Sequence, residues 1–201
     1  MVDPLLGALP VVAPSPQATS PDAWGQPITA ERESELEAIL ADWDPSALNQ
    51  LNRKSAFDAF GRSVEEQRRF RLTGADVFWL AQRHRPDQLG RVPDLHLEGA
   101  NLVEAILAGA DLRTVHLEGA YLRKAQLVRA DLRGAYFEGA NLHGAYVQYA
   151  ELRGASLKGA TLYGAYFENA DLIGADLESA NLNAAHLESA DLRGRIQRHQ
   201  L

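Results

Sequence analysis

The chain has 201 residues, a formal net charge of −7 and no cysteine. That length fits one domain or two small ones, the missing cysteines exclude disulfides and thiolate metal sites, and the acidic balance argues against direct nucleic-acid binding. No apolar run approaches the ~20 residues of a bilayer-spanning helix, and a cytoplasmic protein without membrane contact is the expectation.

Residues 1–27 open the chain with six of its nine prolines. Met1 to Ala13 is apolar, yet it lacks a basic leader and carries Asp3 and Pro4, unlike a signal peptide. The stretch reads as a disordered Pro-rich arm, because proline blocks helix and there is little to bury.

Residues 28–93 read as an α-helical N-terminal region. Thr29 caps a first helix reaching Trp43, with Leu36, Ile39, Leu40 and Trp43 on one stripe. Asp44-Pro45 starts a second, with Leu48, Leu51, Phe57 and Phe60 buried and Gly61 as its stop. Ser63 and Glu66 make a capping box for a third, ending at Gly74. Ala75, Asp76 and Val77 lie in register with the repeat that follows, which leaves two readings. The favoured one is a short helix capped by Asp76 and running to Gln82, with Val77, Leu80, Ala81 and His84 on one face. Phe78 and Trp79 then cover the start of the repeat.

From Asp94 to Gly194 one five-residue phrase is repeated twenty times. Its centre is Leu97 and every fifth residue to Leu192, and seventeen of the twenty are Leu. The exceptions are Phe137, Val147 and Phe167. Two residues before the centre stands Ala, from Ala100 to Ala190, broken only by Leu95 ahead of the series and Val115 within it. A fixed period outranks propensity. Five residues advance a helix by about 140° and put successive units on opposite faces of a strand, so neither template fits. The chain must turn a corner in each unit, with Ala and Leu pointing to an inner axis. Leu112, Leu132, Phe137, Leu152, Phe167 and Leu172 are the expected core.

A slower period of twenty supports this. One column reads Asp111, Asp131, Glu151, Asp171 and Asp191; two residues on stand Arg113, Arg133, Arg153, Ile173 and Arg193. Glu98, Glu118, Glu138, Lys158 and Glu178 form another column. Four units therefore make one turn, and twenty make five coils.

The phrase, as in Ala130-Asp-Leu-Arg-Gly134 and Ala140-Asn-Leu-His-Gly144, resembles the pentapeptide-repeat family, A(D/N)LXX. The resemblance covers about half the chain. It implies an all-β solenoid, a right-handed quadrilateral β-helix, here of five coils and roughly 24 Å long at a coil spacing of about 4.8 Å. Helical segments like this one often precede such repeats in bacterial proteins. The open edge of the first coil is an aggregation hazard that a helical cap would cover. Only residues 195–201 follow the last coil, so the C-terminal end is expected to be the weaker seal and the place where a homodimer forms.

Two surfaces are candidates for binding a protein partner. The first is the acidic column Asp111, Asp131, Glu151, Asp171 and Asp191, which the Arg column beside it can neutralise for about 0.2–1 kcal/mol per pair. The second is Tyr146 and Tyr166, stacked on one side, with Tyr149 near. Aromatic rings anchor interfaces, but they also stack between coils. The resemblance further implies an alternative role as a DNA mimic that binds and modulates or protects a type II topoisomerase, DNA gyrase. Charge opposes it: a 24 Å rod matches roughly seven base pairs with about fourteen phosphates, whereas residues 93–194 carry a net −6. The repeat also runs without the projecting loops or C-terminal helix such members use.

His96 and His116 stand one coil apart beside Glu98 and Glu118, a set that could hold zinc. The solenoid sets that spacing, and the sequence offers no outer-shell partner, so no metal and no cofactor is expected. The basic cluster Arg68, Arg69 and Arg71 reads as a solvated helix face. No nucleophile motif or phosphate loop is present, and the carboxylates lie on a convex rod. The expectation is a non-enzymatic scaffold that presents flat β-helix faces for protein–protein interaction.

Overall fold

The computed structural model describes residues 20–23, 25–41, 71–83 and 95–194. The predicted arm up to residue 19, the second helix, most of the third, Trp43, His84, Arg68, Arg69 and the tail after 194 lie outside them.

The repeat folds into a β-helical solenoid. His96 pairs with His116, Asn101 with Tyr121, Ile106 with Gln126 and Asp111 with Asp131, all parallel, and the twenty-residue offset continues to Asp171 with Asp191. Four five-residue units thus close each coil. The faces carry single-residue bridges instead of extended strands, because each unit spends its remaining residues on a turn. The Leu97 N–H donates to the His116 carbonyl at 2.8 Å, and the His116 N–H donates to Leu95 at 2.9 Å. The Ala100 N–H closes the turn onto the Leu97 carbonyl at 3.0 Å, and this pattern recurs along the rod.

The third residue of every turn is left-handed. From Gly99 to Ser189 each of these corners has φ between 55° and 70°, as a type II turn requires. Glycine fits there without strain, yet Thr114 (55°) and Tyr149 (60°) adopt the same conformation. The turn is imposed by the inward pair of side chains before it and the hydrogen bonds on both sides.

Ala and Leu both face the axis. Every unit centre from Leu97 to Leu177 is at most 2% exposed, including Leu112, Leu132, Phe137, Leu152, Phe167 and Leu172. The Ala methyls and Leu side chains of four units share the interior of each coil, small beside large, as close packing favours. At the far end Ala180, Leu182, Leu187, Ala190 and Leu192 are only half-buried against this core.

Two helices precede the solenoid among the described residues. Helix α1 spans Ala30–Ala41, and the Thr29 hydroxyl caps it by accepting the Arg32 N–H at 3.2 Å. Helix α2 spans Gly74–Arg83. Its cap corrects the sequence reading: Thr73, not Asp76, is the N-cap. The Asp76 N–H donates to the Thr73 hydroxyl at 3.2 Å, and the Thr73 N–H donates back to Asp76 at 2.8 Å. This reciprocal capping box closes two orphan donors, whereas Asp76 as N-cap would leave the first turn's N–H groups open.

The expected third helix does not reach Gly74. Arg71 instead forms a parallel bridge with Asn101, and the Leu72 N–H donates to the Asn101 carbonyl at 2.9 Å. Ala23 bridges Ile106 in the same way. The first coil exposes unpaired backbone there, and an extended segment satisfies it where a helix cannot. Leu36, Leu72, Val77 and Leu80 join the same buried cluster as the solenoid leucines, with Trp79 packed at its side.

Candidate functional site

The outward residues fall into four columns of sides, each with its own chemistry. On the side of Asp111, Asp131, Glu151, Asp171 and Asp191, the arginines two residues on fold back onto the carboxylates. Arg113 Nε donates to Asp111 at 2.7 Å and its Nη2 at 2.8 Å, a bidentate pair. Arg113 also reaches Asp131 one coil away at 3.6 Å, and Arg133 reaches Glu151 at 3.3 Å. Arg153 pairs with Asp171 and Arg193 with Asp191. The hydrogen bonds from Arg113 and Arg193 hold the Asp111 and Asp191 carboxyls below the ordinary carboxylate range. The same contacts raise Arg113 and Arg193, and the hydrogen bond to Asp131 raises Arg133. The acidic column is therefore a ladder of alternating sign, not a bare negative strip.

The tyrosines lie on another side. Tyr146 stacks on Tyr166 with ring centres 5.2 Å apart, and Tyr166 stacks on His186 at 4.7 Å. Tyr146 and Tyr166 are half-buried, since much of each ring covers its neighbour one coil away. Tyr149 stands clear of this stack at the corner, 54% exposed, with the Arg129 guanidinium 5.8 Å from its ring centre. The sequence grouped the three together; the structure separates a stacked pair from one projecting ring. Tyr163 and Tyr136 are also exposed, on other sides.

The side of Glu98, Glu118 and Glu138 holds most of the rod's charge imbalance, with five carboxylates against one lysine between His96 and Ser179. Lys158 serves Asp176 and Glu178, each at 3.3 Å, and those hydrogen bonds raise it. His96 Nδ1 lies 2.8 Å from Glu98, and His116 Nδ1 lies 3.0 Å from Glu118. Periodicity set His96 and His116 beside Glu98 and Glu118, but it did not disclose the contacts of Lys158 or the ring nitrogen that meets each carboxylate.

Near the first coil, Asp76 is buried and Arg32 grips both its oxygens at 3.0 and 2.9 Å. Arg32 also donates to the Arg71 carbonyl at 2.9 Å, and Trp79 Nε1 donates to Glu33 at 3.2 Å. These bonds tie α1, the Arg71 bridge and α2 into one unit. Phe78 is half-buried. Sequence reasoning missed Arg32, whose partner lies 44 residues away.

These features define a repeat protein of the β-helical solenoid class, with its chemistry on outer columns. The family profile for pentapeptide repeats matches residues 96–134, 120–159, 135–172 and 160–194 in eight copies, and the chain belongs to that family. Among solved structures it is similar to the pentapeptide repeat protein Rfr23 of the cyanobacterium Cyanothece 51142, at 35% identity and a TM-score of 0.41, over 41% of this chain and 56% of that one. A pentapeptide repeat protein of the Arabidopsis thaliana thylakoid lumen matches at 29% identity and a TM-score of 0.39, over 53% and 71%. HetL of Nostoc sp. strain PCC 7120, described as involved in heterocyst differentiation regulation, matches at 32% identity and a TM-score of 0.22, over 51% and 60%. The chain thus spans little more than half the length of Rfr23 and of HetL. Comparison with curated proteins returns no match.

Proposed function

We propose that this protein is a cytoplasmic, non-enzymatic scaffold: a five-coil rod, sealed at its first coil by the helical N-terminal region, that offers flat faces to a protein partner. The observation that carries this reading is the pairing of charges along the Asp111 to Asp191 column. Paired carboxylates and guanidiniums leave a flat face with little net field, suited to the rim of a protein interface and not to imitation of a phosphate backbone. This weighs against the alternative of a duplex mimic acting on DNA gyrase.

Tyr149 is the anchor we assign to the binding face. It is exposed, rigidly placed at a corner and flanked by Arg129, and Tyr and Arg are the residue types that dominate interface energetics. The half-buried Leu182, Leu187 and Leu192 support a second contact, a homodimer through the C-terminal coil.

The test is capture of partners from cell lysate on immobilised wild-type protein and on Tyr149→Ser. A specific protein retained by wild type and lost from the variant, with unchanged melting of the bait, supports the assignment. Capture of gyrase subunits, followed by inhibition of supercoiling, would favour the alternative. Equal capture by both baits would remove Tyr149 from the interface.

A further inference from the structure

We propose that His96, Glu98 and His116 form a binding site for a divalent transition-metal ion of the zinc class. The sequence reading expected no metal here because no outer-shell partner could be argued. The structure supplies one. His116 Nδ1 lies 3.0 Å from Glu118, the pairing that orients a metal-bound histidine, and His96 Nδ1 lies 2.8 Å from Glu98, the carboxylate that joins it as a ligand.

Glu98 is the second observation. It is 6% exposed, and its Oε2 is buried with no hydrogen-bond donor among the described residues. A buried carboxylate oxygen left open is costly, and a cation beside it removes that cost. Glu118 and Glu138 carry the same orphaned oxygen one and two coils away. On other parts of the rod arginines answer the Asp111 column and Lys158 answers Asp176 and Glu178, while Glu168 shares the orphaned oxygen. Among the described residues, two imidazoles face the Glu98 end.

One ligand atom from each of His96, Glu98 and His116 lies within 4.8 Å of the others. A tetrahedral zinc ion with bonds of about 2.1 Å holds its ligands roughly 3.4 Å apart. The rings now stack 4.6 Å apart, so binding requires the His96 ring, 47% exposed, to tilt toward its neighbour. Two imidazoles and one carboxylate with a fourth position for water is a donor set that zinc favours over magnesium or calcium.

The test titrates the full-length protein with Zn2+ at neutral pH by calorimetry, with thermal melts alongside. Saturable binding at one ion per chain, a melting point raised by several degrees, and no such response to Mg2+ are expected. His96→Ala combined with His116→Gln should lower zinc affinity at least tenfold, roughly, and Glu98→Gln should do the same. His186→Ala, which alters the Glu168, His186 and Glu188 group, where Glu168 is half-buried and the other two exposed, should leave it unchanged. Absent saturable binding, or affinity undiminished by the His96 and His116 changes, overturns the site. If those variants fail to fold, Co2+ on the wild-type chain decides: intense visible bands of a tetrahedral site support the assignment, and the spectrum of the hydrated ion alone overturns it.

Discussion

Replacing Thr114 by glycine should stabilise this protein. Thr114 occupies a corner at φ 55°, and a left-handed L-residue costs about 1–2 kcal/mol, most for a β-branched one. Glycine removes that strain but restores freedom to the unfolded chain, at about 0.5–1 kcal/mol. Thr114 is half-buried, and its Cγ2 lies close to Gly134, 3.6 Å from where a Cβ there would stand, so little packing is lost. The net gain is roughly 0.5–1 kcal/mol, or a few degrees in a domain of about 100 residues. The mirror experiment is Gly109→Ala. Its Cβ would meet nothing within 4 Å, and its φ is 69°, so conformational strain alone should cost about 1 kcal/mol. Gly194→Ala differs again, because a Cβ there would lie 2.8 Å from the backbone of Gly174. Differential scanning calorimetry of the three variants reads these effects directly. A lower melting point for Thr114→Gly, or an unchanged one for Gly109→Ala, would refute the claim that the turn imposes the left-handed conformation against residue preference.

Leu152 lies mid-rod at 0% exposed; Leu152→Lys buries an unpaired charge, costs several kcal/mol, and should abolish the cooperative melt followed by circular dichroism. Asp76 is 1% exposed at its side chain and Arg32 is 25%. Arg32→Ala strands a buried carboxylate at a cost of about 3 kcal/mol, so hydrogen exchange should rise in α1 and α2 while the amides around Leu152 stay protected. Asp111 and Asp191 have carboxyls held below the ordinary value of 3.8 by their arginines. Their contribution is complete above that value and fades as pH falls through the lower folded one. Acid titration of the melting point should therefore decline below about pH 4, less steeply in 1 M salt because these pairs are exposed; a salt-independent profile would assign the loss to other groups.

The repeat was legible because its code is local. Leu at each centre and Ala two residues before it dictate which atoms face the axis, and the same short-range rule acts from Leu97 to Leu192. The twenty-residue column of Asp111, Asp131, Glu151, Asp171 and Asp191 followed from that geometry, as did the stack of Tyr146 on Tyr166. The period of five placed a corner in each unit, although nothing in Thr114 or Tyr149 announces a positive φ. There the hydrogen-bonded coil on either side overrides the residue's own preference.

Other features have no period to read. Arg71 joins Asn101 at an offset of thirty, Ala23 joins Ile106 from the far side of α1, and Arg32 reaches Asp76 across 44 residues. Each is a single pairing of distant segments, made because the first coil leaves backbone groups and leucines that something must cover. The same holds for Glu98: the sequence set it one coil below Glu118 and beside His96, but only the packed rod buried its carboxylate and left one oxygen without a partner. Local repetition determined the rod and the order of residues on its sides. The three-dimensional closure of the first coil decided how the non-repeating chain meets it, because those contacts satisfy an edge that exists only once the coil has formed.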